Sequence, residues 1–200
     1  MKIFDNTLNI ADIERCSRIC GPGLRFVIWV QGCGLGCKGC WNTEMWSFDE
    51  RSPYTVDEIL GMVQKEDVEG VTILGGEPLY QSKVLLKLVK KLKESGYNIM
   101  LYTGFEQEEI TDLDSKELFS LSDIVICGRY EEDKRSIYLR WRGSLNQQII
   151  INNKEFENLI DMFNEQVNEV EIHFDDYGNV KILGYPDTII KNEVLYETGF

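Results

Sequence analysis

Gly70-Val71-Thr72-Ile73-Leu74-Gly75-Gly76-Glu77-Pro78 is a short β-branched run that stops at two glycines, an acid and a proline. Runs of this kind, bounded by glycine and proline, read as buried strands. The next segment is helical. Ser82 stands at a capping position, and Leu85, Leu88, Val89 and Leu92 recur at helical spacing, with Lys87, Lys90, Lys91 and Lys93 off that stripe and Gly96 at its stop. Residues 98–102 return as a strand closed by Thr103-Gly104. Strand, amphipathic helix and strand in succession define a βαβ unit, and such units build parallel sheets with right-handed crossovers.

The same grammar extends both ways. Upstream, Arg25-Phe26-Val27-Ile28-Trp29-Val30-Gln31 reads as a strand after the Gly21-Pro22-Gly23 breaker, and Thr55 with Glu58 forms a capping box ahead of Val56, Ile59, Leu60 and Val63. Downstream, Asp114 and Glu117 suggest a second capping box, and Asp123-Ile124-Val125-Ile126-Cys127 a strand ending at Gly128-Arg129. An irregular charged stretch precedes a fifth strand over residues 147–151, after which Asn152 or Asn153 caps a helix carrying Phe156, Leu159, Ile160 and Phe163. Residues 169–174 and 179–183 flank Asp175-Asp176-Tyr177-Gly178 as a β-hairpin finishing the sheet. The predicted class is α/β: a largely parallel sheet curled into a partial (βα) barrel, with a C-terminal β-hairpin. A single domain is expected over residues 1–200, with its core at about 21–184 and a tail, 185–200, left unassigned.

Composition narrows the function classes. Apolar residues make up 43% and charged residues 28% of the chain, which is the balance of a globular protein. Thirty-four acidic against 21 basic residues leave a net charge of −13, which repels nucleic-acid backbones and anionic membranes. The first residues lack the apolar core of a secretory signal, and no apolar run is long enough to cross a bilayer. A cytoplasmic protein is expected. There the six cysteines are for ligation rather than for disulfides.

In parallel α/β folds ligands sit at the carboxyl ends of the strands. Four motifs fall there: the cysteines after the first strand, Gly75-Gly76-Glu77 after the second, Thr103-Gly104 after the third and Gly128-Arg129 after the fourth. The cysteines, Cys33-Gly34-Leu35-Gly36-Cys37-Lys38-Gly39-Cys40, place three thiols among glycines that let the loop curl. Three thiolates suit a [4Fe–4S] cluster with one iron open to a small molecule. The alternative is structural zinc, with Cys16, Cys20, Cys127 or the single histidine, His173, as fourth ligand. Gly-Gly-Glu offers bare backbone and a carboxylate to an ammonium group, or is only a tight turn. Cys16 and Cys20 read as two small buried thiols, and His173 as a packed or surface residue.

Cys-x-x-x-Cys-x-x-Cys followed by Gly-Gly-Glu-Pro resembles the radical S-adenosylmethionine (SAM) superfamily. Within it, Gly21-Pro22-Gly23-Leu24-Arg25, Gln31-Gly32-Cys33, Lys38-Gly39-Cys40-Trp41-Asn42, Leu101-Tyr102-Thr103-Gly104 and Arg142-Gly143-Ser144-x-Asn146-Gln147 resemble the activating enzymes of anaerobic ribonucleotide reductase. The resemblance implies that Cys33, Cys37 and Cys40 hold three irons and that SAM chelates the fourth. It implies that Gly75, Gly76 and Glu77 meet the methionyl ammonium, that the backbone from Gly39 to Trp41 meets the adenine, and that Thr103 and Arg129 face the ribose or carboxylate. An electron from flavodoxin or ferredoxin would split SAM to a 5′-deoxyadenosyl radical, which takes a hydrogen atom from a glycine on a large glycyl-radical enzyme. A radical SAM enzyme acting on a peptide or small molecule would share this chemistry; a zinc-binding adaptor would share none of it. Cys20, Cys127 and Gln148 depart from the activase pattern. Arg129, Lys134, Arg135, Arg140 and Arg142, interleaved with Tyr130, Tyr138 and Trp141, suggest a partner-docking surface or a solvated loop paired with Glu131, Glu132 and Asp133.

Overall fold

A computed structural model of the chain describes residues 6–163, 165–174 and 180–184. Its strands are β1 (Thr7–Ser17), β2 (Arg25–Val30), β3 (Ser52–Thr55), β4 (Gly70–Gly75), β5 (Asn98–Thr103), β6 (Ile124–Cys127), β7 (Gln148–Ile151), β8 (Val170–Phe174) and β9 (Val180–Gly184), and its helices are α1 (Val56–Val63), α2 (Ser82–Glu94), α3 (Leu113–Leu121) and α4 (Ile160–Phe163). The first seven strands form one sheet in the order β3-β1-β2-β4-β5-β6-β7. The α/β class is borne out. β2, β4, β5 and β6 are mutually parallel, flanked by antiparallel β1 and β3 on one side and antiparallel β7 on the other. Among the described residues β3 and β7 do not pair with each other, so the sheet is open rather than a closed barrel.

Two strands escape sequence reading for physical reasons. Shifts of register in β1, between Ile10 and Asp12 and between Glu14 and Ser17, break its period-two alternation. β3 is short and carries Pro53, which an edge strand tolerates. The hairpin is present, with Ile172 opposite Ile182, but β8 and β9 make a sheet of their own instead of finishing the main one. Its turn and the tail 185–200 lie outside the described residues.

Alternation sorts the parallel strands onto two faces. Phe26, Ile28, Val30, Val71, Ile73, Ile99, Leu101, Val125 and Cys127 pack toward Ile59, Val63, Leu85, Leu88, Val89, Leu92 and Leu118 of the helices. Leu85, Leu88 and Leu92 are fully buried, which places the predicted stripe of α2 against the sheet. Among the described residues the opposite face carries no long helix. Val27 and Trp29 there meet Met45 and Leu183, while Met100, Ile124 and Ile126 meet Trp141 and Phe163.

Helix ends follow local chemistry. Thr55 and Glu58 form the predicted capping box. α2 stops at Gly96 (φ +89°), where Gly96 N bonds to Lys93 O and Tyr97 N to Leu92 O, a Schellman closure. Three caps differ from expectation. Ser82 is the buried first residue of α2, and the chain enters that helix through a 3₁₀ turn, Pro78–Gln81, whose Leu79 amide is taken by Glu77 at 2.9 Å. α3 is capped by Asp112, which accepts from Ser115 N, and not by Asp114. Asn153 caps a 3₁₀ segment, Lys154–Leu159, and only then does the short α4 begin.

Candidate functional site

Because β2, β4, β5 and β6 run parallel, their carboxyl ends share one edge, and the loops leaving them are bonded in series. Gly76 N donates to Val30 O at 2.8 Å and Glu77 N to Gly32 O at 2.9 Å, which fastens the Gly-Gly-Glu loop beside Cys33. Gly104 N donates to Glu77 Oε2 at 2.7 Å. Gly128 N donates to Phe105 O at 3.1 Å, and Arg129 Nη1 to Gly104 O at 3.3 Å. The four motifs therefore meet at one mouth. The glycines have a steric reason here: a Cβ on Gly75 would lie 2.4 Å from Val30 N, and one on Gly76 2.5 Å from Gly32 O.

The cysteine loop lies outside the hydrophobic core. Cys33, Cys37 and Cys40 are all free and partly exposed, and Gly36 (φ +63°) and Gly39 (φ +73°) turn the backbone between them. Among the described residues no three His, Cys, Asp or Glu side chains gather around one point that could hold a single metal ion. Mononuclear zinc needs such a point; a cubane gives each thiolate its own iron and does not. Three partly exposed thiols on a loop turned by glycines fit a cluster. Burial pushes the Cys33 and Cys37 thiols up, so an incoming metal must displace their protons. The loop after β6 leans on this segment: Lys38 pairs with Glu132 at 3.1 Å, and Arg135 stacks over Trp41 at 4.7 Å.

Glu77 is placed differently from a solvent-facing ligand. It is 1% exposed, and its carboxylate accepts from Leu79 N (2.9 Å), Thr103 Oγ1 (2.8 Å) and Gly104 N (2.7 Å). Three of about four acceptor positions are thus filled from within. Burial still pushes the acid up to about 7, against the pull of those three donors. Thr103, 3% exposed, is engaged with Glu77 and with Phe105 N. Arg129 pairs with Glu109 at 2.5 Å and lies over the Phe105 ring.

The expected docking surface divides: Lys134, Arg135 and Tyr138 are exposed, whereas Arg140 and Arg142 are engaged within the fold. Lys134 pairs with Glu131. The Arg140 side chain, 14% exposed, reaches Glu165 at 3.2 Å and Glu169 at 3.3 Å, and Arg142 Nη1 donates to Gln147 O at 3.3 Å. Arg140 and Arg142 join parts of the fold instead of facing a partner. Asn146 and Gln147 act alike: Asn146 Nδ2 donates to Arg129 O, Gln147 Nε2 to Gly128 O, and Gln147 Oε1 accepts from Gly143 N. Cys20 lines a cavity on the open face of the sheet, and burial pushes its thiol up to about 11. His173 lies between Glu14 and Glu171, 3.6 Å from each, on the surface of the hairpin.

An α/β sheet with three free thiols at the carboxyl edge of its parallel strands suits the class of single-cluster iron–sulfur proteins. Comparison with known sequences makes this specific. The pattern of the family described as 4Fe-4S single cluster domain matches residues 19–150. The chain is 34% identical over 149 residues to the anaerobic ribonucleoside-triphosphate reductase-activating protein of Enterobacteria phage T4, covering 71% of this chain and 93% of that one. The proteins of the same name from Pasteurella multocida (strain Pm70) and Escherichia coli (strain K12) are 33% and 30% identical, over 64% of this chain and 88% and 89% of their own lengths. The chain belongs to this family of reductase-activating, 4Fe-4S single-cluster proteins. The family description gives it a single [4Fe–4S] cluster.

Proposed function

We propose that the chain is an activating enzyme that removes a hydrogen atom from a glycine Cα of an anaerobic ribonucleotide reductase, leaving a stored glycyl radical. The observation that carries this reading is the backbone stitching of the three-cysteine loop to the Gly-Gly-Glu loop where the parallel strands end. When bound, the reduced cluster and SAM supply a 5′-deoxyadenosyl radical, the species that can attack an unactivated C–H bond. Cys33, Cys37 and Cys40 hold the irons. The bare backbone at Gly75 and Gly76 and the remaining acceptor position of Glu77 hold the ammonium of SAM, while the backbone from Gly39 to Trp41, Thr103 and Arg129 surround its nucleoside. A flavodoxin or ferredoxin delivers the electron to the partly exposed cysteine loop. The reducing cytoplasm suits six free cysteines; no helix of the described residues is long and apolar enough to cross a membrane.

Protein reconstituted anaerobically with iron and sulfide, then reduced in the presence of SAM, is expected to release 5′-deoxyadenosine and methionine in equal amounts. No 5′-deoxyadenosine from protein carrying its full iron complement would overturn the reading.

A further inference from the structure

Beside the cysteine loop the fold leaves two large aromatic side chains partly in solvent: Phe48, 50% exposed, and Tyr80, 37% exposed. With Phe105 they form a row. The rings of Phe48 and Tyr80 meet edge-on at 5.4 Å and those of Tyr80 and Phe105 at 5.9 Å, and Arg129 closes the row over Phe105 at 5.6 Å. The row lies on the two glycines that flank Cys33. A Cβ on Gly32 would stand 2.8 Å from the Phe48 ring, and one on Gly34 2.9 Å from the Tyr80 hydroxyl. At both positions the rings take the space that side chains of the loop would otherwise fill.

Each ring is carried by a segment that hydrogen bonds hold in place. Phe48 follows a stretch tied along the start of the cysteine loop: Gly32 N donates to Met45 O at 2.8 Å, Cys33 N to Trp46 O at 3.1 Å and Gln31 Nε2 to Ser47 O at 2.7 Å. Tyr80 sits in the 3₁₀ turn Pro78–Gln81, where its amide donates to Glu77 O at 3.2 Å. Its neighbours in that turn fix its direction. Leu79 is buried, and Gln81 Nε2 donates to Asn9 O at 2.9 Å and to Gln31 O at 3.0 Å. The turn that leads from Glu77 into α2 therefore also delivers an aromatic ring to the loop at Cys33. A side chain locked by packing and by its own backbone is the kind of support that holds a ligand group in one geometry.

We propose that Tyr80, supported by Phe48 and Phe105, is a positioning residue for the iron–sulfur cluster: its ring backs the Cys33 end of the loop and keeps water from that corner. The shell around a metal centre controls solvent access and through it the potential. Reduction adds a negative charge that water stabilises, so a dry corner holds the potential low. A low potential is what the reductive cleavage of a sulfonium demands. This rests on the functional reading above in one respect, that Cys33 holds an iron.

The test uses the full chain, reconstituted anaerobically, with Tyr80→Ala and, separately, Tyr80→Phe. The midpoint potential is read from the electron paramagnetic resonance signal of the reduced cluster during a reductive titration without SAM. In Tyr80→Ala the ratio of reduced to oxidised cluster at a fixed potential is expected to rise roughly tenfold, the worth of one hydrogen bond from water to a charged group. For one electron that is an upward shift of about 59 mV. Iron should also pass to a chelator faster than in the wild type. Tyr80→Phe keeps the ring and its packing and is expected to hold the wild-type potential. An unchanged potential in Tyr80→Ala would overturn the proposal, as would an equal shift in Tyr80→Phe, which would give the effect to the hydroxyl instead of the wall. Iron retained in full by Cys33→Ser would overturn the ligand assignment and this proposal with it. Iron lost in Cys33→Ser beside an unchanged potential in Tyr80→Ala overturns this proposal alone.

Discussion

Replacing any one of Cys33, Cys37 and Cys40 with serine is expected to leave a folded chain that releases less than roughly one-thousandth of the wild-type 5′-deoxyadenosine, because groups that act as a unit fail as a unit. None of the three belongs to the buried core, so folding does not depend on them. Iron retained after anaerobic reconstitution and desalting should fall in parallel, and the far-ultraviolet circular dichroism should not change. Cys16→Ser and Cys20→Ser serve as controls. Both residues precede the strand that leads into the cysteine loop, and both variants are expected to keep their iron and their activity. Loss of iron in Cys20→Ser with retention in Cys37→Ser would contradict the assignment.

The second large effect is expected at Glu77. In Glu77→Ala the amides of Leu79 and Gly104 and the hydroxyl of Thr103 lose their shared acceptor inside the protein. Each unsatisfied buried group costs about 1–3 kcal/mol, so the loss approaches the whole stability of an average domain. Urea denaturation of the iron-free protein measures it. Glu77→Gln keeps one acceptor oxygen but turns an NH₂ toward one of the donors, and its loss should be intermediate.

The pH dependence has a definite sign. The acid is raised to about 7 in the folded chain from an ordinary value of 4.5. Between those values the folded state holds a proton that the unfolded state has released, so stability falls as pH rises through this window and levels off above it. Relative to Glu77→Gln, the wild type should therefore gain about 2 kcal/mol on going from pH 7.5 to 5.5. No gain, or a loss, would mean that Glu77 is ionised in the fold throughout.

Where sequence and structure agree, the signal is local. β4, α2 and β5 are legible because a doubly buried strand is a continuous apolar run, and because α2 carries its lysines on one side and its leucines on the other. The cysteines and the Gly-Gly-Glu turn are legible for the same reason: spacing and residue type carry their chemistry. The features that stay hidden depend on distant parts of the chain. Glu77 reads as a ligand in sequence, and only the approach of the Thr103-Gly104 loop reveals that its carboxylate also braces the fold. Arg140 looks like a surface charge, and only the arrival of Glu165 and Glu169 makes it a rivet. The left-handed backbone of Trp141 leaves no mark in composition or periodicity.

The central claim is that a hydrogen atom moves from a glycine of the reductase to the adenosyl carbon of SAM. It is tested most directly with a reductase whose glycines carry deuterium at Cα, mixed with the reduced, reconstituted protein and SAM. The account predicts a glycyl-radical signal in electron paramagnetic resonance on the reductase and one deuterium in each 5′-deoxyadenosine released on activation. Release of 5′-deoxyadenosine free of deuterium, with no radical on the reductase, would contradict it.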